Sequence, residues 1–195
     1  GNNQKIREGL ERIISMVLAM AIPIALTGIV VARGVIEMLF GASYLPATHS
    51  FQVLLLALVF TFPAAILSNT LFAYNRQKAL VAFALIGGAG NVVLDLLLIP
   101  RFGIIGSAVA TIVAQGIANV YLWNKVKNVN RFHTLPHLKK IVPAALGLGG
   151  IIWLLSLANI HTLVVVALAP PIYLGLLYLL KEPLLKEIKL VVRPR

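Results

Sequence analysis

Six long apolar segments constrain this chain more than any other feature, because each is about as long as a bilayer is thick. A helix of about 20 apolar residues spans the hydrocarbon core. Only 12% of the residues are charged, about half the share of a soluble domain. We therefore predict an all-α polytopic membrane protein with one transmembrane domain over residues 1–195. The predicted helices cover residues 13–40, 51–72, 79–99, 104–123, 141–157 and 162–180.

Positive charge is distributed unevenly among the segments that connect these helices. With the N-terminus placed in the cytoplasm, all but two of the 17 Lys and Arg residues fall on the cytoplasmic side. The exceptions, Arg33 and Arg101, lie near the opposite face. The positive-inside rule describes this bias. It predicts a plasma (inner) membrane protein with both ends of this chain in the cytoplasm. The net charge of +11 then reflects topology and contact with membrane lipids, and we expect no nucleic acid as a partner.

The sequence contains little that indicates a metal site or an enzyme active site. The chain has no cysteine, which excludes disulfides and thiolate metal sites. His133 and His137 are four residues apart, but no carboxylate or third ligand lies near them, so we predict a solvated loop and no metal site. Since no Gly-rich phosphate loop, nucleophile elbow or zinc-protease pattern is present, we predict that the protein is not an enzyme.

Charged residues within the apolar segments leave two interpretations open in each case. Asp95 lies roughly 7 Å of helix before Pro100, and a lone buried carboxylate is costly. It either pairs with Arg101 at the outer face of a helical hairpin or binds a proton or cation. Arg33 and Glu37 are four residues apart and either pair on one helix face, or Arg33 presents its charge to an anionic substrate.

The predicted fourth helix carries two neighbouring stripes at four-residue spacing. The small residues Gly106, Ala110, Ala114 and Ala118 form a ridge. Such a ridge lets another helix approach closely in lipid. The polar residues Ser107, Thr111, Gln115 and Asn119 run beside it. Polar side chains in line either bond a neighbouring helix or line a wet cavity, and both interpretations stay open.

Three motifs point to one superfamily. Residues 40–44 read Phe-Gly-Ala-Ser-Tyr, and residues 73–78 read Ala-Tyr-Asn-Arg-Gln-Lys, with Asn75 where a glycine is usual. The longest match comprises Asn91, Leu94, Asp95, Leu98, Ile99, Pro100, Phe102, Gly103, Ile104, Gly106, Ala108, Ala110 and Thr111. Together these motifs resemble the polysaccharide and O-antigen flippases of the multidrug/oligosaccharidyl-lipid/polysaccharide exporter superfamily.

The resemblance implies a transporter of two six-helix lobes around a central cavity, of which this chain is the second. Because the chain begins at Gly1 without a basic-then-apolar leader, we expect a piece of a longer or processed chain whose N-terminal lobe is missing. The implied function is the movement of a polyprenyl-diphosphate-linked oligosaccharide from the cytoplasmic to the outer leaflet for surface polysaccharide synthesis. Polysaccharide polymerase machinery is an implied partner.

Such a function assigns roles to the polar and charged residues. We expect the sugars to meet Asn69 and the polar stripe, and the diphosphate to meet Arg33. The substrate-binding candidates are Arg33, Asn69, Thr111, Gln115 and Asn119, and the candidates for ion coupling or structural pairing are Asp95, Arg101 and Glu37. We expect no cofactor, and proton or sodium coupling stays open. Two alternatives are a drug/cation antiporter of the same superfamily, with Asp95 as coupling carboxylate, and a non-transporting membrane subunit.

Overall fold

A bundle of α-helices makes up the described part of the chain. The computed structural model describes residues 2–129, 132, 135–158 and 160–180, and the backbone alone at 2, 3 and 135–137. His133 and the basic tail after residue 180 lie outside these ranges, as does the side chain of His137. Within them no strand is present. The helices are α1 (Asn2–Phe40), α2 (Thr48–Leu56), α3 (Leu58–Ala73), α4 (Gln77–Val129), α5 (Leu135–Leu157) and α6 (Thr162–Leu179).

The predicted second helix is two segments, α2 and α3, that meet at Ala57. The Ala57 N–H bonds the Leu54 carbonyl oxygen at 2.9 Å, which is the tighter i→i+3 pattern of a 3₁₀ turn. A 3₁₀ segment, Ala42–Ala47, also leads from α1 into α2. The predicted second helix is therefore interrupted at a position that the apolar pattern over 51–72 did not reveal.

Helix α4 contains both the third and the fourth predicted helices and bends sharply at Gly103. Gly103 has φ 58 and ψ −137, a conformation that side chains disfavour and glycine accepts. The arms on either side, 77–102 and 104–129, are each about 39 Å long, enough to cross the hydrocarbon core once. Five described helical stretches are long and apolar enough to span a membrane, and one of them, Ala42–Ala73, comprises the 3₁₀ segment with α2 and α3. The number of crossings stays a prediction.

The two arms of α4 pack closely against each other through small residues. A Cβ placed on Gly106 would lie 2.5 Å from the Leu98 carbonyl oxygen of the other arm, and one on Gly90 would lie 3.8 Å from the Ala114 Cβ. Gly106, Ala110, Ala114 and Ala118 are all buried. The prediction that this ridge admits a second helix at short distance is confirmed, and the second helix is the preceding arm of the same hairpin.

Helix α1 lies at the centre of the bundle, in contact with α2, α3, α5 and α6, whereas α4 packs on α2 and α3. One apolar cluster joins the first half of α1 to α3 and the end of α4, through residues such as Ile14, Leu67 and Leu122. A second cluster joins the second half of α1 to α5 and α6 around Leu148 and Val165. The contact between α3 and α4 forms a groove, which contains the cleft described below.

Candidate functional site

A cleft of about 480 Å³ lies between α3 and the two arms of α4. Small residues leave this space open, because Ala64, Gly87 and Ala114 form much of its wall. The polar side chains that line it are Thr61, Ser68, Asn91, Thr111, Gln115 and Asn119. None of its described lining residues is charged. The cleft is therefore a neutral polar surface within segments that are long and apolar enough to span a membrane.

Helix periodicity brings these side chains to one place. Thr111, Gln115 and Asn119 follow one another at four-residue spacing along the second arm of α4, and residues at that spacing share a helix face. Thr61 and Ser68 are seven residues apart on α3, which is close to two helical turns. Two separate helices thus present polar faces to each other across the cleft.

A hydrogen bond joins the two walls. The Thr61 hydroxyl lies 2.9 Å from the Ala57 carbonyl oxygen and 3.2 Å from the Gln115 side-chain oxygen, so its single proton is shared between two acceptors. Within α4, the Thr111 hydroxyl donates to the Ser107 carbonyl oxygen at 3.0 Å, and the Asn119 amide donates to the Gln115 carbonyl oxygen at 2.9 Å. The polar stripe therefore bonds a neighbouring helix and also lines a cavity.

Three polar atoms in or near the cleft are buried and have no hydrogen-bond partner among the described residues. They are Asn91 Nδ2, Asp95 Oδ1 and Asn119 Oδ1. Leaving such a group unsatisfied costs about 1–3 kcal/mol, so each of these atoms favours a bond to a water molecule or another polar group. Asn91 and Asn119 line the cleft and offer one donor and one acceptor, whereas Asp95 does not line it.

The structure does not bring every predicted substrate contact to this cleft. Asn69 follows Ser68 in sequence but is exposed and does not line the cleft, because one residue turns a helix by about 100°. Arg33 is exposed on α1, whereas the cleft is lined by α3 and α4. The substrate roles of these two residues stay predictions, as do those of the three stripe residues that do line it.

Neither predicted ion pair forms in the described part of the chain. No contact within 4.0 Å joins Arg33 to Glu37 or Asp95 to Arg101, although Arg7 and Glu11 on α1 pair at 3.0 Å. Asp95 and Arg101 are six residues apart, which places them about 120° apart around a helix. Arg33 and Glu37 share a face but both are exposed, where a pair adds little stability. The structure thus shows neither pair, and the roles of these residues stay predictions.

No group of three or more acidic or histidine side chains that could hold a metal ion occurs among the described residues. Asp95 is the single acid in the sequence of α4, and Asn91 precedes it by one helical turn on the same face. The prediction that Asp95 couples transport to a proton or sodium ion stays open.

The sequence interpretation missed the α3 wall of the cleft. Thr61 and Ser68 have the spacing of a shared face, and Asn91 with Asp95 has it on the first arm of α4. These spacings are readable in the sequence. The sequence does not show that these residues form one site, because two polar faces on different segments become a site only when the helices pack against each other.

Comparison with known proteins supports the predicted superfamily but matches the chain to a different family within it. The lipid II flippase family MurJ matches residues 1–175. A solved structure of a lipid II flippase MurJ, in an inward closed conformation, has a TM-score of 0.82 at 22% identity and covers 93% of this chain and 40% of that chain. An uncharacterized membrane protein of Methanocaldococcus jannaschii is 28% identical over 124 residues, 63% of this chain and 24% of the relative.

The chain spans less than half the length of either protein. At 22% identity, the likeness to the solved structure establishes the fold alone, and the family rests on the match over residues 1–175. The predicted superfamily of lipid-linked flippases is confirmed, while the matched family is not that of the O-antigen flippases. The chain is a multi-pass membrane protein, and it belongs to the MurJ lipid II flippase family, whose members are transporters and not enzymes.

Proposed function

We propose that this chain forms part of the path by which a transporter moves a lipid-linked precursor of the lipid II type from the cytoplasmic to the outer leaflet. The observation that carries the proposal is the neutral polar cleft between α3 and α4. A saccharide crossing a bilayer must exchange its water for other hydrogen-bond partners, because hydrocarbon offers none. Hydroxyl and amide side chains in a spanning bundle supply them.

The chemistry of the cleft suits sugar hydroxyls, which both donate and accept. Asn119 Oδ1 is an acceptor and Asn91 Nδ2 a donor, and neither has a partner among the described residues. A cleft without lining charges binds neutral hydroxyls without holding them so strongly that release becomes slow. Gln115 adds an amide whose bond to Thr61, at 3.2 Å, is long enough to yield to a ligand.

The diphosphate needs cationic contacts, and the described residues that line this cleft supply none. Arg33 remains our candidate, because its exposed guanidinium on α1 makes no ion pair with Glu37. The chain covers 40% of the matched transporter, so we propose that the rest of the transporter closes the other side of the path. The uneven distribution of Lys and Arg supports a cytoplasmic N-terminus for this chain.

A second candidate substrate is a lipid-linked oligosaccharide for surface polysaccharide. The motif over residues 91–111 favours it, since that motif resembles the polysaccharide and O-antigen flippases. Both substrates present sugars on a polyprenyl diphosphate, so the cleft does not discriminate between them. The two substrates are distinguished by which precursor accumulates when the transporter is absent.

The experiment uses a host strain depleted of the full-length transporter and complemented with variants. Gln115→Leu with Asn119→Leu removes two amides from the cleft wall. We expect it to leave the lipid-linked precursor on the cytoplasmic side, as the depleted strain does, at a normal protein level. The control, Val113→Leu with Val120→Leu, changes two exposed residues of the same arm that do not line the cleft, and should restore translocation.

Three outcomes separate the alternatives. Accumulation of a lipid II-type precursor supports the proposal, and accumulation of a surface-polysaccharide precursor supports the second substrate. Full rescue by the amide double variant would assign the polar stripe to helix packing and refute the role of the cleft. If the depleted strain accumulates no lipid-linked precursor at all, translocation of such lipids is refuted, and the cation antiporter with Asp95 becomes the next hypothesis to test.

A further inference from the structure

A second pocket, of about 520 Å³, lies at the end of the same groove between α3 and α4. The connection between the two helices supplies Arg76, the first turn of α4 supplies Lys78, and its last turns supply Lys125. The amides of Asn75 and Asn128 line it as well. We call this surface the basic pocket. It is separate from the polar cleft, since Lys125 lies about 9 Å of helix beyond Asn119.

The basic pocket concentrates positive charge without compensation. Arg76, Lys78 and Lys125 are its three cations, and none of its described lining residues is acidic. None of the three forms an ion pair with another described residue. Like charges that line one pocket repel each other, so an anion bound between them lowers their energy. Lys125 Nζ lies 5.3 Å from the centre of the Tyr121 ring, which restrains the ammonium at the pocket wall.

The backbone of the α3–α4 connection adds donors to this charge. Helix α3 ends in a Schellman turn, in which Arg76 N–H bonds the Leu71 carbonyl oxygen and Asn75 N–H bonds the Phe72 carbonyl oxygen, both at 2.9 Å. Asn75 takes the left-handed conformation, with φ 54, that this turn requires. Helix α4 then begins at Gln77. The Ala79 N–H bonds the Arg76 carbonyl oxygen at 2.9 Å, and the positive end of the helix dipole favours a negative group here.

We propose that the basic pocket binds the phosphate or diphosphate headgroup of a lipid at the membrane surface. We favour a lipid over a soluble anion because the pocket lies where α3 ends and α4 begins. The neighbouring turns of these two helices expose large apolar side chains. Phe72 is 61% exposed and Val81 is 60% exposed, so an acyl or prenyl chain has apolar surface beside the headgroup. The inference concerns binding and does not depend on translocation. The headgroup belongs either to a polyprenyl diphosphate or to an anionic phospholipid.

The test measures binding to the full-length protein purified in a neutral detergent. The probes are farnesyl diphosphate, phosphatidylglycerol and inorganic diphosphate, each titrated and followed by native mass spectrometry. The variant is Arg76→Gln with Lys78→Gln and Lys125→Gln. The matched control is Lys5→Gln with Lys127→Gln and Lys139→Gln, which removes the same charge from exposed positions that do not line the pocket.

We expect the pocket variant to bind the phosphate lipids on the order of 100-fold more weakly, from about fivefold for each charge removed near a membrane surface. The control should lose less than about fivefold in total, because its charges act at longer range. All three pocket cations are exposed, so both variants should melt at the wild-type temperature, and unchanged melting confirms that a loss of binding is local.

The probes distinguish the two lipid sources. A loss confined to farnesyl diphosphate supports a carrier lipid, and a loss that extends to phosphatidylglycerol supports a bilayer phospholipid. Equal losses in the pocket and control variants, or no loss in either, would overturn the basic pocket as a site. Inorganic diphosphate bound as tightly as the lipids would overturn the lipid assignment. A protein that binds these lipids but translocates none would refute the proposed function and leave this inference intact.

Discussion

Gly106 provides the sharpest test of how the α4 hairpin closes. It lies three residues after the bend, and a Cβ at this position would lie 2.5 Å from the Leu98 carbonyl oxygen and 2.7 Å from the Leu98 carbonyl carbon. Both atoms belong to the backbone of the opposing arm and cannot rotate away, as a flexible side chain can. Gly106→Ala therefore requires the two arms to move apart.

The size of the effect follows from the distance. Real Cβ atoms are essentially never found within 3.0 Å of another heavy atom, so Leu98 and Gly106 must separate by at least about 0.5 Å. A gap of that size removes about a quarter of the attraction between facing atoms, and overpacking of this kind costs about 1–3 kcal/mol. Gly116→Ala is the matched control, because its Cβ would meet nothing within 4 Å and alanine favours a helix interior by about 1 kcal/mol.

The assay is the free energy of unfolding of the full-length protein in detergent. Both variants gain the helix preference of alanine, so Gly106→Ala should be less stable than Gly116→Ala by the overpacking cost alone. That cost is roughly 1–3 kcal/mol, which is about fivefold or more in the unfolding equilibrium. Gly116→Ala should match or exceed the wild type. Equal stability of the two variants would mean that the arms do not meet at Gly106, and the account of the small-residue ridge would fail with it.

Two further predictions concern single contacts. Asn75→Val should lower the free energy of unfolding by about 1–2 kcal/mol, because a β-branched residue disfavours φ 54. The control, Asn75→Gly, should leave it unchanged. Equal unfolding free energies for the two variants would contradict a left-handed turn. Thr61→Val removes the hydroxyl 3.2 Å from the Gln115 side chain and should cost about 0.6 kcal/mol, the average for hydrogen bonds between membrane helices. A double-mutant cycle with Gln115→Leu measures this coupling, and a coupling of zero would show that the two walls are not bonded.

Much of the fold follows from local properties of the sequence. A helix in lipid must satisfy its own backbone hydrogen bonds, so segment length and apolarity predict where helices lie, and the structure has helices at all six predicted positions. The ridge from Gly106 to Ala118 and the left-handed Asn75 were also predictable, because close approach and positive φ each demand particular residue types at particular positions.

The site was less predictable because it depends on contacts between distant residues. Thr61 and Gln115 are 54 residues apart, and their hydrogen bond exists only because α3 packs against the second arm of α4. The charged residues show the converse, since Asp95 and Arg101 are close in sequence but turn to different faces. The basic pocket likewise gains its third cation, Lys125, only when the end of α4 returns to its start.

The sequence by itself determined a membrane-spanning helical bundle with basic connections at one side, since hydrogen bonding within helices and the apolar length of segments are local quantities. The tertiary structure alone decided which polar faces meet, that the described lining of the polar cleft is uncharged, and that three cations share one pocket. The physical reason is that a cleft arises from the packing of separate helices, and the energy of that packing belongs to pairs of residues far apart in the chain.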